Sequence, residues 1–337
     1  MDQDEAVPAS APGSIFTPPS VHTTTLLSGA SYSHFSPVPA ALLPSDPSDP
    51  SSAPPCALGV DEAGRGPVLG PMVYGVFYLP LPLSDPLLRD AHHFDDSKVL
   101  TPAVRSALMQ TLCAPGTDLF DACGWATTAL SARDIGANML RPVGVYNLNA
   151  QAMDATVALI KGVYARGVNI REIYVDTIGP PAAYQAKLQA IFPTAAVTVA
   201  KKADSLYPCV SAASVCAKVT RDAALETLYD AIRDKQPEEG DDGMGWGSGY
   251  PSDPRCAGWM KSNMHPLFGW GAECRFSWAT AKDMMEDKTR CGVKVDWPDN
   301  DNAGVARLTD YFTAGDRERD ADELGSWYGT SAKLEAF

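Results

Sequence analysis

The run Val60-Asp61-Glu62-Ala63-Gly64-Arg65-Gly66-Pro67 constrains this chain more than any other feature, because it sets two adjacent carboxylates at the end of an apolar strand and follows them with a glycine-rich turn. Leu58-Gly59-Val60 before it and Met72 to Tyr78 after it both read as strands, so the turn lies at the mouth of a hairpin with Asp61 at a strand terminus. Ionised carboxylates do not persist in apolar surroundings unless they are paired or bound to metal, so this pair asks for a cation. Gly64 and Gly66 free the backbone to come close to a ligand, and Arg65 between them can meet a phosphate. The plainer alternative is a turn with solvated acids and a surface arginine, and the rest of the chain decides between the two.

The first 54 residues are dominated by Ser, Pro, Ala and Thr. Such a composition buries too little apolar surface to offset the entropy of ordering, which predicts a disordered tail over 1–54 whose removal leaves activity and melting temperature almost unchanged. From 55 to 236 strands alternate with helices. Strands are expected at 57–61, 72–79, 122–130, 170–176 and 196–200, and helices at 146–166, 184–192 and 209–233, the last with small Ser and Ala residues in its first half. Residues 237–290 read as a helical C-terminal region, in which Gly247-Ser248-Gly249-Tyr250 leads to Asp253 as an N-cap and Pro254 at a first helical position, with helices near 253–265 and 278–288. The segment 291–337 is charged and only sporadically apolar.

Composition excludes several classes. The chain has 337 residues, enough for a large core, and no run of about 18 uncharged apolar residues that would predict a membrane span. It also lacks a basic-then-apolar leader, so an intracellular protein is expected. The eight cysteines form no Cys-x-x-Cys pair, which argues against a zinc knuckle or a disulfide framework and for buried thiols. His22 and His34 fall in the tail, and His92-His93 would point to opposite sides of a strand, so no histidine site is expected. The formal net charge of −14 is the wrong sign for bulk attraction to nucleic acid, so any such binding must use a local basic patch.

Asp61, Glu62, Asp176 and Asp204 share one property: each lies at or just past the end of an apolar strand. In a mixed sheet such ends can converge, and four carboxylates without histidine or thiolate make an all-oxygen site suited to Mg²⁺ or Mn²⁺ and not to zinc. A pair of such ions suits phosphodiester cleavage. Taken singly, Asp176 and Asp204 read equally as ordinary acids of strand-ending turns.

The opening motif, together with Asp96-Ser97-Lys98-Val99-Leu100, Tyr174-Val175-Asp176-Thr177-Ile178-Gly179, Lys202-Ala203-Asp204-Ser205-Leu206-Tyr207-Pro208, Ser211 to Lys218 and Gly247-Ser248-Gly249-Tyr250-Pro251, resembles the catalytic subunits of eukaryotic type 2 ribonucleases H, in order and over about 56–288. The resemblance implies an α/β fold of the ribonuclease H kind, a mixed central sheet flanked by helices with a helical C-terminal region. It implies an endoribonuclease that hydrolyses the RNA strand of RNA–DNA hybrids and incises 5′ of single ribonucleotides in duplex DNA, leaving 3′-hydroxyl and 5′-phosphate ends. That activity serves DNA replication and ribonucleotide excision repair in the nucleus. By motif, Asp61, Glu62, Asp176 and Asp204 would be the catalytic acids and hold two divalent ions. Gly64, Arg65, Gly66 and Tyr250 would read the ribose 2′-hydroxyl, the group that separates RNA from DNA. Lys98, Lys218 and Arg221 would contact phosphates, which gives an acidic protein its local basic patch. Lys201 and Lys202 read equally as solvated.

Another ribonuclease H-like nuclease or strand-transfer enzyme would use the same acids, but the Gly-Arg-Gly turn and the Gly-Ser-Gly-Tyr loop argue against it, since strand transfer need not sense a 2′-hydroxyl. A non-catalytic scaffold protein is the other alternative, and the presence of all four acids speaks against it. The family resemblance implies a heterotrimer with two non-catalytic accessory subunits, and 291–337 would be a docking extension through Leu308, Tyr311 and Phe312. A sliding-clamp peptide is the competing reading of 305–312, although Val305 stands where that motif requires glutamine.

Overall fold

The computed structural model describes residues 16–46, 48–49, 52–94, 100–141, 146–177, 179–233 and 245–287. Two strands, β2 (Cys56–Ala63) and β3 (Met72–Pro80), are buried along almost their whole length and form the hairpin expected from the opening motif, with Asp61 opposite Gly75 and Glu62 opposite Tyr74. Around them β1 (Tyr32–Phe35), β4 (Gly124–Leu130), β5 (Ile170–Asp176) and β6 (Ala196–Ala200) complete a six-stranded sheet in the order β1-β4-β3-β2-β5-β6. Pairing is antiparallel from β1 to β2 and parallel from β2 through β5 to β6, so the sheet is mixed. Strands buried on both faces read as nearly continuous apolar runs, as these do.

The two faces are covered by different helices. Leu58, Val60, Tyr74, Val76, Ile173 and Val175 point to the side of α5 (Leu148–Tyr164) and α6 (Pro181–Ile191), where Leu159, Ile160, Val163 and Leu188 complete one core. Ala57, Phe77, Leu79 and Trp125 point the other way, toward the 26-residue helix α7 (Pro208–Arg233) and α2 (Pro102–Cys113). A Cβ on Gly59 would collide with the Cys209 carbonyl group, and one on Gly75 would lie 2.6 Å from the Ala213 carbonyl oxygen. The glycines on β2 and β3 and the buried Ser211-Ala212-Ala213-Ser214 on α7 therefore let helix and sheet backbones meet without side chains between them.

Most expected elements stand within a few residues of their sequence bounds. The helices α1 (Thr23–Leu27), α3 (Asp118–Ala122) and α4 (Ala132–Met139) come in addition, as does α2. Residues 16–54 depart from expectation. The disordered tail predicted over 1–54 is overturned there: Tyr32–Phe35 extends the sheet along β4, Leu26 and Leu42 are buried, and Ser20 Oγ meets Thr220 Oγ1 on α7 at 2.7 Å. Composition missed this because the ordering entropy of a Ser/Pro-rich stretch is offset by a few apolar anchors docked on a surface that exists only after the core has formed. His92-His93 is likewise not in a strand but follows the π-helical turn Ser84–Ala91.

The C-terminal helices α8 (Pro254–Ser262) and α9 (Ala279–Glu286) share a third core with the hairpin turn and the end of α7, built on Val68, Leu69, Leu225, Tyr229, Trp246, Met260 and Trp270. Asp253 is the N-cap of α8 and accepts the Arg255 N–H at 3.0 Å, with Pro254 at the first helical position as the sequence indicated. The seven described cysteines are free thiols. Among the described residues no helix is long and apolar enough to cross a membrane. Lys98, residues 237–244 and the extension 291–337 lie outside the described residues.

Because residues 16–54 supply an edge strand and buried leucines, deletion of 1–54 is expected to destabilise the chain by roughly 3 kcal/mol or more, the scale of losing two buried leucine side chains. Thermal unfolding of the truncated and full-length proteins checks this, and an unchanged melting temperature would show that the segment is not held to the core.

Candidate active site

Register places the acids. Val60 of β2 pairs in parallel with Val175 of β5, so Asp61 and Asp176 follow at neighbouring strand ends. Side chains alternate along a strand, and Asp61 therefore faces α7 while Glu62 faces the α5–α6 side. Asp204 arrives from the turn Ala203–Ser205 after β6. Lys202, immediately before it, adopts the left-handed conformation at φ +58°, which is uncommon outside glycine. This turns the chain so that the Ala203 N–H donates to Asp176 Oδ1 at 2.9 Å, tying the Asp204 turn to the end of β5.

These acids repel each other at close quarters. Asp61 and Asp204 are each only 7% exposed. Burial, reinforced by Glu62 and Asp176, raises the Asp61 carboxyl well above the ordinary range, against a hydrogen bond from the Glu62 N–H and the nearby charge of Lys218. Burial likewise pushes Glu62 from its ordinary 4.5 to about 7, with Arg65 opposing and Asp176 adding to the rise. Negative charge is thus gathered without enough positive charge to balance it. Among the described residues no three His, Cys, Asp or Glu side chains are gathered into a metal-binding group by themselves. A hard cation that keeps several waters and takes part of its shell from a substrate phosphate fits such a set, whereas zinc, which wants a closed shell of nitrogen or sulfur, does not.

The Gly-Arg-Gly turn is held from behind. Gly64 has φ +76° and no room for a Cβ, which would lie 2.8 Å from the Pro71 carbonyl oxygen. Arg65 projects toward Glu62 and donates to Asn149 Oδ1 and, at 3.5 Å, to the Tyr74 hydroxyl. A Cβ on Gly66 would lie 3.1 Å from Cε1 of Tyr250, so the partly exposed tyrosine ring stands directly over this turn. The structure therefore brings Gly64, Arg65, Gly66 and Tyr250 together at the catalytic hairpin, and places Lys218 beside Asp61.

Arg221 does not stand where a phosphate contact would. It is 5% exposed, donates to the Ser248 carbonyl oxygen at 2.6 Å and to Asp222 at 3.2 Å, and packs against Gly64. It is a strut between α7, the hairpin turn and the Gly-Ser-Gly-Tyr loop, because helical spacing from Lys218 carries it under that loop. Sequence reasoning missed a second buried arginine. Arg275 is fully buried and donates to the carbonyl oxygens of Gly64 at 2.6 Å, Arg65 at 3.0 Å and Gly70 at 3.1 Å, while the Trp278 indole donates to Gly66 at 3.0 Å. Its signal was an arginine inside an apolar and aromatic run, Trp270 to Trp278, where a solvated side chain has no place.

With this geometry in place, comparison with known proteins identifies the class. The sequence profile of ribonuclease HII matches residues 58–281, which include all four acids and Arg275. The ribonuclease H2 catalytic chain of Neurospora crassa is 58% identical over 339 residues, covering 99% of either chain. Its human counterpart is 43% identical over 77% of this chain and 82% of its own. The crystal structure of ribonuclease H2 from Pyrococcus horikoshii aligns with a TM-score of 0.54 at 31% identity, covering 68% of this chain and 96% of that one. The chain belongs to the ribonuclease HII family, and within it to the catalytic A subunits of eukaryotic ribonuclease H2. It is a ribonuclease H enzyme, acting on RNA–DNA.

Two outcomes follow from the site. Replacing Arg275 with Ala strips three carbonyl oxygens of their donor, and is expected to cost about 3 kcal/mol in chemical denaturation; a loss under about 1 kcal/mol would mean the turn holds itself. Glu62 keeps its proton in the folded chain at pH values where the unfolded chain has released it. Its contribution to stability is therefore fully present below about pH 4.5 and lost as pH rises toward 7. Without divalent ions, the stability of wild type relative to Glu62→Gln should fall by roughly 2 kcal/mol across that window. A pH-independent difference would show that Glu62 is solvated.

Proposed function

We propose that this protein cleaves the RNA strand of RNA–DNA hybrids and incises 5′ of single ribonucleotides embedded in duplex DNA, leaving 3′-hydroxyl and 5′-phosphate ends. The observation that carries the finer reading is the seating of Tyr250 over Gly66, one turn from Asp61 and Glu62. An aromatic ring and the open backbone of a glycine-rich turn stand beside the acids, where a ribose and its 2′-hydroxyl can be sensed next to the bond to be cut.

Asp61, Glu62, Asp176 and Asp204 would hold two divalent ions, Mg²⁺ or Mn²⁺. Such ions, when bound, activate an attacking water and neutralise charge on the leaving oxygen. The protein's own groups do the rest. Lys218 and Arg65 bring positive charge to the two faces of the acidic cluster and so offset repulsion of the incoming phosphate. Tyr250 stacks on the ribose. The Arg275 and Arg221 struts fix the turn and the loop in mutual register before substrate arrives, so that little reorganisation is left for the reaction.

The names of the relatives support a chain that works within a multi-subunit complex on nucleic acid. We extend this to two non-catalytic accessory subunits docking through 291–337, and to a nuclear role in DNA replication and ribonucleotide excision repair.

The test uses a DNA duplex with one embedded ribonucleotide and Mg²⁺. Asp61→Asn, Asp176→Asn and Asp204→Asn should each abolish cleavage while leaving a folded protein. Tyr250→Ala should slow single-turnover cleavage about ten- to a hundredfold, with much less effect on affinity for plain duplex. Near wild-type turnover in any of the three Asn variants removes that acid from the metal-binding set. Equal proportional losses of binding and cleavage in Tyr250→Ala would make the tyrosine a packing residue.

A further inference from the structure

The cavity into which Glu62 and Asp176 open, of about 480 Å³, continues past them to a wall to which the proposed function assigns no role. Pro180, Ala183, Tyr184 and Lys187 line it at the spacing i, i+3, i+4, i+7, so one face of α6 forms that wall. Lys187 is exposed, and among the described residues its ammonium makes no hydrogen bond or ion pair. On a chain of net charge −14, an unpaired cation facing the catalytic cavity runs against the general trend of the molecule.

Two further features act in the same direction. Helix α6 starts after Pro180 with no side-chain cap, which leaves the first-turn N–H groups and the positive end of the helix dipole open toward the cavity. Across from it, Arg65 is held by Asn149 and the Tyr74 hydroxyl, which are neutral and leave its charge available. Positive potential therefore flanks the acids on the α6 side. Tyr250 and Gly66 do not line this cavity, so the feature is separate from the ribose-sensing turn and loop.

We propose that Lys187, supported by the open N-terminus of α6, binds a phosphodiester of the nucleic-acid backbone beyond the one that is cut. The proposal rests on the ribonuclease reading of the acids and adds a contact to it. By helical rise Lys187 lies about 10 Å along α6 from Pro180, and successive phosphates of a strand advance by about 3.4 Å. The contacted phosphate is thus about one to three nucleotides from the cleaved bond. A contact of this kind holds the strand in place and carries no sequence information.

The test compares the full-length wild type with Lys187→Ala and Lys187→Arg on an RNA–DNA hybrid, by affinity over a series of salt concentrations and by single-turnover cleavage at saturating enzyme. Lys187→Ala is expected to weaken binding about three- to tenfold at moderate salt and to reduce the slope of log Kd against log salt by about 1, one phosphate contact fewer. Its saturating cleavage rate should stay within about twofold of wild type, its melting temperature should not move, and Lys187→Arg should restore affinity. A scan with single uncharged methylphosphonates then identifies the partner: one position should weaken wild type and leave Lys187→Ala indifferent. An unchanged salt slope, or a scan in which no position loses its effect in Lys187→Ala, overturns the subsite. If wild type binds the hybrid but cleaves no RNA-containing substrate, the functional reading fails, while slope and scan still decide the subsite.

Discussion

Negative charge gathered at the ends of β2 and β5 is the constraint on which the rest of the molecule depends. Two strands in parallel register bring Asp61 and Asp176 side by side, and a left-handed residue at Lys202 ties the turn carrying Asp204 to the same place. Such a cluster is unfavourable by itself, as the raised pKa values of Asp61 and Glu62 show. A fold keeps it only if neighbouring elements hold the strand ends rigidly. Gly59 and Gly75 let the backbone of α7 lie directly on the hairpin, and the buried guanidinium of Arg275 grips the carbonyl oxygens of the turn from the other side.

That arrangement also explains why the C-terminal region shares a core with the hairpin. Val68 and Leu69 from the turn pack with Leu225, Trp246 and Met260, so the loop bearing Tyr250 is anchored to the segment that carries Asp61 and Glu62. Ribose sensing and metal holding are then two ends of one rigid piece. Movement of α8 or of the end of α7 would be felt at the acids, because Arg221 spans the gap between α7, Gly64 and Ser248.

The hairpin, the strand-terminal acids and the long helix were legible in the sequence because each rests on local pattern: apolar runs, glycines where the backbone must turn or come close, and helical spacing. What escaped depended on partners far away in the chain. Tyr32–Phe35 becomes a strand only against β4, and its own Ser/Pro-rich surroundings argue for disorder. Arg221 reads as a phosphate ligand from its place near Lys218, yet its guanidinium is claimed by a carbonyl 27 residues on. Arg275 meets its carbonyl partners more than 200 residues upstream, a distance no window of sequence reports. Lys187 was passed over because an exposed lysine on a helix is ordinary until the wall it belongs to is known to face the acids.

The central claim is that the four acids act jointly as ligands for divalent ions shared with a nucleic-acid phosphate. Counting Mn²⁺ bound per chain by electron paramagnetic resonance, with a non-cleavable RNA–DNA hybrid present and absent, tests it most directly. The account predicts two ions per chain with the hybrid, weaker binding without it, and loss of binding in Asp176→Asn. Binding that is unaffected by Asp176→Asn, or no Mn²⁺ bound in the presence of the hybrid, would contradict it.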